Sequence, residues 1–212
     1  TIPFNKMNFK TEQEKFWAGD FGDEYIGRNK SEEYLASNLN FFSKAFNQLG
    51  QPNSLIEFGA NIGMNLRAIK LLFPKIDLFG IEINKNAADE LAKFIGQENV
   101  FNGSIFEFEA THKCDVSLIK GVLIHINPEM LALVYEKLYT ASNKYILICE
   151  YYNPSPVTVS YRGHSDRLFK RDFAGEMLEK YVDLKLVDYG FCYKRDKAFP
   201  QDDITWFLLE KE

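Results

Sequence analysis

Glu57, Gly59, Asn61 and Gly63 stand at alternate positions in the run Ser54-Leu-Ile-Glu-Phe-Gly-Ala-Asn-Ile-Gly63. Glycines at both ends of Gly59–Gly63 allow a tight turn whose backbone a ligand can approach closely. Asn61 between them is the non-glycine residue that best tolerates positive φ. Free backbone N–H groups at a helix start beyond such a turn suit a polar or anionic group. Glu57 changes that expectation, because a carboxylate just before the turn repels a pyrophosphate but accepts hydrogen bonds from an ammonium group. Glu82 follows Gly59 by a little over 20 residues, the spacing at which dinucleotide-type sheets place an acid whose two oxygens accept from a ribose diol. Alone, Glu82 reads as an exposed strand-end acid; beside Glu57 and Gly59 the diol role is the better reading.

Two of the three histidines are candidates to take a proton near neutral pH: His125, after Ile119-Lys-Gly-Val-Leu-Ile, and His164. For His125 a backbone hydrogen bond that orients its loop is the plainer role. His164 lies in an aromatic segment, Glu150 to Arg167, with Tyr151, Tyr152, Tyr161, Arg162 and Asp166. Stacking faces, donors and an acid in one stretch suit a polar sugar or a phosphate. His125, His164 and Tyr152 are the candidate catalytic residues, and Tyr151, Tyr152, Tyr161, Arg162 and His164 the candidate substrate-binding ones. The alternative is an aromatic loop that closes the core. Near the N-terminus, Tyr25 and Arg28 lie in a second aromatic and charged run, where arginine could pair bidentately with a carboxylate; a surface helix cap is the alternative there.

The periodicity of the chain supplies a scaffold. Ser54–Phe58 is a short apolar run, as in a buried parallel strand, and apolar residues then repeat at helical spacing from Leu66 to Phe73, closed by Pro74. Further strands are expected at 78–83, 100–105, 115–119 and 145–149, with helices over 86–95 and from Asn127-Pro128, where Asn caps and Pro takes the first turn. This alternation is the signature of a parallel α/β sheet. Residues 150–167, with Pro154 and Pro156, read as irregular. A helix to Tyr181 and two strands, 184–193 and 204–209, follow. Upstream, Thr11-Glu-Gln-Glu14 is a capping box for a short helix through Trp17. Gly19 to Gly22 should break that helix and 23–29 form a turn, before a helix over 31–49 with Leu35, Leu39, Phe42, Ala45, Phe46 and Leu49 on its apolar face.

With 212 residues, 46% of them hydrophobic, the chain can bury one substantial core, so a single domain over 1–212 is expected. A net charge of −5 argues against a nucleic-acid partner. Cys114, Cys149 and Cys192 are far apart and set in apolar runs, as reduced core residues of a cytoplasmic protein would be. No stretch has membrane-span length, and no His, Cys or carboxylate cluster has metal-ligand spacing, so neither a membrane nor a metal is expected.

Glu57-Phe-Gly59-Ala-Asn-Ile-Gly63 resembles the first motif of class I S-adenosylmethionine (SAM) methyltransferases, acid-x-Gly-x-Gly-x-Gly, and departs from it at Asn61. The resemblance implies cofactor contacts from Glu57, Gly59, Ala60, Asn61, Gly63 and Met64, and from Glu82 and Ile83 at the ribose. It implies Ser104 and Ile105 at the adenine, and Lys120 and Gly121 at the border of cofactor and acceptor. Tyr25 and Arg28 would reach the SAM carboxylate from a segment folded over the site. The run Phe16-Trp-Ala-Gly-Asp-Phe-Gly-Asp-Glu-Tyr25 and the glycine turn together resemble the methylases encoded with pseudaminic acid biosynthesis. The implied fold is an α/β Rossmann-like sandwich, a seven-stranded mostly parallel sheet with helices on both faces (51–212) under an N-terminal helical lid (1–50). The implied activity is methyl transfer from SAM, leaving S-adenosylhomocysteine (SAH), to an oxygen or nitrogen of a small acceptor, a sugar or sugar nucleotide. Two other classes were weighed. A nicotinamide-dependent oxidoreductase needs Gly-x-Gly-x-x-Gly, but positions 59, 61 and 64 read Gly, Asn and Met. A non-catalytic SAM-binding scaffold would keep the same binding residues.

Overall fold

The computed structural model describes residues 9–26, 31–161 and 163–212. Three helices, α1 (Glu12–Ala18), α2 (Asp20–Ile26) and α3 (Glu32–Ala45), precede the first strand. Strands and helices then alternate through β1 (Ser54–Phe58), α4 (Met64–Leu72), β2 (Asp77–Glu82), α5 (Lys85–Ile95), β3 (Val100–Asn102), β4 (Cys114–Lys120), α6 (Leu131–Ala141) and β5 (Ser142–Glu150). β6 (Val157–Tyr161), β7 (His164–Lys170), α7 (Phe173–Lys180), β8 (Leu184–Phe191) and β9 (Thr205–Lys211) follow.

Seven strands form one sheet in the order β3-β2-β1-β4-β5-β9-β8. β1 to β5 pair in parallel, and β9 runs antiparallel to both β5 and β8, so it is the one reversed strand of this sheet. The expected sheet is therefore present. Its central strand explains the apolar run in the sequence, because β1 is covered on both sides. Leu55 packs in one core with Phe42, Leu66, Ile69, Leu91 and Leu147. Ile56 and Phe58 pack in the other with Ile119, Leu138 and Met177. Helices α3, α4 and α5 thus cover one face and α6 and α7 the other. From β1 the chain winds outward to β3, then crosses back to β4 on the other side. The crevice opens at that switch, beyond the carboxyl ends of β1 and β4.

Several boundaries differ from the sequence reading. The capping box forms, with Thr11 and Glu14 bonded reciprocally. Residues 20–26, expected as a break and a turn, form α2 instead. Gly22 is there for close approach: a Cβ on it would lie 2.0 Å from the Trp17 carbonyl oxygen. α3 ends at Ala45 rather than Leu49, though Phe46 and Leu49 stay buried. β3 stops at Asn102, where the Asn102 side chain bonds the Glu82 carbonyl at 2.9 Å. Pro128 opens a short 3-10 turn, and α6 begins at Leu131. Of residues 150–167, expected as irregular, 157–161 and 164–167 belong to the antiparallel pair β6–β7. Val157-Thr-Val-Ser-Tyr161 alternates and is rich in β-branched residues, and Gly163 turns the chain at φ 81°. The three cysteines are unpaired, with Cys114 and Cys149 buried.

Candidate functional site

The glycine turn is left-handed at every second residue, with φ of 77° at Gly59, 51° at Asn61 and 85° at Gly63. Asn61 therefore replaces a glycine without loss of the turn. The N–H groups of Gly59 and Ala60 both donate to the Ile81 carbonyl at 2.9 Å, which fastens the turn to the end of β2. Glu82 at that end accepts from the Asn61 N–H at 2.7 Å and from the Asn84 N–H at 2.8 Å. Burial pushes its carboxyl up, against the lowering effect of those N–H groups. One acid thus holds the turn and the start of α5 at fixed distance.

Glu57 lies beneath the turn and is fully buried. Asn65 Nδ2 donates to its Oε1 at 2.6 Å, while Oε2 has no hydrogen-bond partner among the described residues. Burial pushes the carboxyl up to about 8, against the pull of Asn65 and of the Lys120 charge. Lys120 closes β4 with its ammonium 5.8 Å from the rings of Tyr34 and Phe41.

A cavity of about 190 Å³ opens here. Gly59, Ala60, Asn61, Met64, Glu82, Ile83, Ser104, Ile105, Lys120 and Gly121 line it, as does His125. The structure thus brings together most of the residues that the sequence assigned to a cofactor, from four different strand ends. Gly63 and Glu57 lie just behind that surface. The Ser104 hydroxyl oxygen accepts from the Phe106 N–H at 3.0 Å, so its one proton is what it can offer to a ligand.

His125 is buried, with its ring 4.7 Å from that of Trp17. Its turn is held by Glu150, whose carboxylate accepts from the N–H groups of Val122 and Leu123 at 3.0 Å and of Ile124 at 3.4 Å. The turn that carries His125 is thus held by a buried acid at the end of β5. Tyr151 and Tyr152 do not line the cavity: Tyr151 sits under the Lys170 ammonium at 5.4 Å, and Tyr152 is exposed with its ring 6.0 Å from Phe207. β7 packs on the Leu123–His125 turn. Arg28 and Arg162 lie outside the described residues, as do the side chains of Tyr25, Tyr161, His164 and Asp166.

Sequence reasoning missed several residues at this site. Thr11, Gln13, Glu14 and Trp17 of the N-terminal helical segment line the cavity, as do Tyr34, Asn65, Asn84, Asp202 and Ile204. Glu14 is buried; its Oε2 accepts from the Thr11 N–H at 2.9 Å and, among the described residues, its Oε1 has no hydrogen-bond partner. Asp23 of α2 accepts from the Asn84 and Asn86 side chains at 2.8 and 2.9 Å, which docks that segment on α5. The capping box was the one signal in the sequence that pointed to Glu14.

The residues present fit SAM. The orphaned oxygens beside the cavity, on Glu57, Asn61 and Glu14, are all acceptors, and SAM offers an ammonium group, a ribose diol and an adenine amine as donors. Gly121, at φ 68°, has no atom of another described residue, its chain neighbours aside, within 4 Å of where a Cβ would stand, so the backbone there is open to close approach.

No family model matches the sequence, and no curated protein's sequence does. Solved structures do. The mitomycin 7-O-methyltransferase is 14% identical with a TM-score of 0.67, over 95% of this chain; the chain spans 61% of that protein's length. The magnesium protoporphyrin IX methyltransferase of Synechocystis, with bound SAM, is 11% identical with a TM-score of 0.65, over 97% of this chain and 100% of that one. The 1,6-didemethyltoxoflavin-N1-methyltransferase of Burkholderia thailandensis, with bound 1,6-didemethyltoxoflavin and SAH, is 13% identical with a TM-score of 0.66, over 93% and 86%. Such low identities speak for the fold. It is that of the class I SAM-dependent methyltransferases.

Proposed function

We propose that this chain is a SAM-dependent methyltransferase acting on an oxygen or nitrogen of a small polar acceptor. The observation that carries the reading is the pair of buried acids, Glu57 and Glu82, on either side of a left-handed turn whose neighbours line a cavity at the switch point of the sheet. SAM supplies a methyl group already activated on a sulfonium, so the protein's work is positioning, exclusion of water and removal of one proton. Glu57 Oε2 is the acceptor for the ammonium and Glu82 for the ribose hydroxyls. Lys120 offers a charge to the carboxylate. Ile105 and Phe106 give an apolar face beside Ser104 for the adenine. α1 and α2 act as the lid, with Trp17 and His125 walling the acceptor side. His125 is the candidate base there, although an amine acceptor can attack directly and lose its proton afterwards.

For the acceptor we propose a sugar of surface-glycan biosynthesis, pseudaminic acid-like in type. The likeness of the Phe16–Tyr25 run and the glycine turn to methylases encoded with that pathway supports this. Among the described residues the cavity wall carries Glu14, Glu82 and Asp202 against Lys120, which favours a sugar over its anionic nucleotide. The test is methyl transfer from labelled SAM to free and nucleotide-linked amino sugars. Product with the free sugar is expected; SAM binding without transfer to any acceptor would favour the scaffold reading.

A further inference from the structure

Gln201, Asn38, Asn65 and Glu57 come from four separate parts of the chain: the β8–β9 connection, α3, α4 and β1. Their side chains are joined end to end. Gln201 Nε2 donates to Asn38 Oδ1 at 2.8 Å, and Asn38 Nδ2 donates to Asn65 Oδ1 at 3.0 Å. Asn65 Nδ2 then donates to Glu57 Oε1 at 2.6 Å. Gln201 is 7% exposed, and Asn38 and Glu57 are 0% exposed. Amides buried this deeply are costly unless bonded, and here each satisfies the next.

The chain of bonds has a sense. Paired with an ammonium group, Glu57 is an ionised carboxylate that only accepts, so Asn65 must turn its NH₂ toward it. That leaves Asn65 Oδ1 to accept from Asn38, and Asn38 Oδ1 to accept from Gln201. Among the described residues Glu57 Oε2 is left without a partner.

We propose that Gln201 and Asn38 are positioning residues for the cofactor: their relay through Asn65 engages Glu57 Oε1 and keeps Oε2 for the SAM ammonium. This rests on the reading of the cavity as a SAM site. The other charges felt by Glu57 are Lys120 of β4, which favours the anion, and Glu82 of β2, which opposes it. Neither belongs to the relay. Asp202 and Ile204, beside Gln201, line the cavity, whereas Asn38 and Gln201 themselves do not. An effect of Asn38 on SAM therefore passes through Asn65, which lines the cavity, and through Glu57 behind it, and seating Gln201 ties the β8–β9 connection to cofactor binding.

The test is calorimetric SAM affinity in wild type, Asn38→Leu, Gln201→Leu, Glu57→Gln and the Glu57→Gln/Asn38→Leu double variant, with thermal unfolding as the check on folding. Asn38→Leu is expected to weaken SAM about tenfold and Gln201→Leu about threefold, as for lost or loosened hydrogen bonds to a charged group. In the Glu57→Gln background Asn38→Leu should add little, because contacting groups do not act additively. The Glu57 titration midpoint, followed by carboxyl carbon NMR, should rise in Asn38→Leu, since a weakened donor disfavours the anion. Should Asn38→Leu fail to fold, Gln201→Leu at the outer end carries the same cycle. Full additivity, or unchanged SAM affinity in a folded variant, would overturn the relay. No SAM binding in wild type, or none lost in Glu57→Gln, would instead overturn the cofactor reading itself.

Discussion

Glu57 near the end of β1 and Glu150 at the end of β5 stand two strands apart in one sheet, both buried and both with carboxyls pushed up by burial, to about 8 and about 7. They differ in what their oxygens meet. Glu150 receives three backbone N–H groups and is spent on holding the Val122–His125 turn. Glu57 receives one side-chain amide and keeps an oxygen without a partner among the described residues. A buried acid whose bonds are filled from within fixes shape. One whose bonds are only half filled keeps capacity for a ligand, and in this chain it lies beneath the turn that lines the cavity.

Breaking each acid in turn should separate these roles. The largest effect is expected from Glu150→Ala, which strands three backbone donors in the core. It should lower stability by about 3 kcal/mol in urea unfolding, and an equally stable variant would remove the structural role. Glu82→Ala should weaken SAM binding by about 1.5–3 kcal/mol, as for a lost charged partner; unchanged affinity in calorimetry would remove the ribose assignment. Glu57→Gln should weaken SAM by about 1.5 kcal/mol while leaving stability equal or higher, because the neutral amide is easier to bury. A large loss of stability instead would put Glu57 in the same class as Glu150.

The smallest effect is on pH dependence. Both carboxyls are raised above their ordinary value of 4.5. Their contribution to stability is then full below that value and is lost as pH rises through about 7 for Glu150 and about 8 for Glu57. Unfolding of the ligand-free protein at pH 5 and pH 8 should show this decline, flattened in Glu57→Gln. An equal slope in that variant would show that Glu57 ionises normally.

The fold was legible because its signals are local. The apolar run at 54–58, the turn glycines and the spacing to Glu82 lie within thirty residues of one another, and the alternation of strand-like and helical runs beyond them announced the sheet; Ser104, Ile105, Lys120 and Gly121 came from the family resemblance. What was missed depends on distance or on competing signals. Gln201 and Asn38 meet across 163 positions of sequence, and nothing near either residue announces the other. Glu150 looked like the first residue of a loop, since the N–H groups that it caps belong to a different strand's exit. Gly22 was read as a helix breaker, whereas it serves close approach to Trp17 within a helical stretch. The alternation at 157–161 was hidden by the two prolines before it, and so β6–β7 was taken for irregular chain.

The most direct measurement is calorimetric titration of the wild-type chain with SAM and with SAH. Binding of both in the micromolar range is the predicted result, and it would send all later work to the acceptor. Binding of neither would contradict the assignment of Glu57 and Glu82, and would leave the cavity without the cofactor that its acceptor oxygens fit.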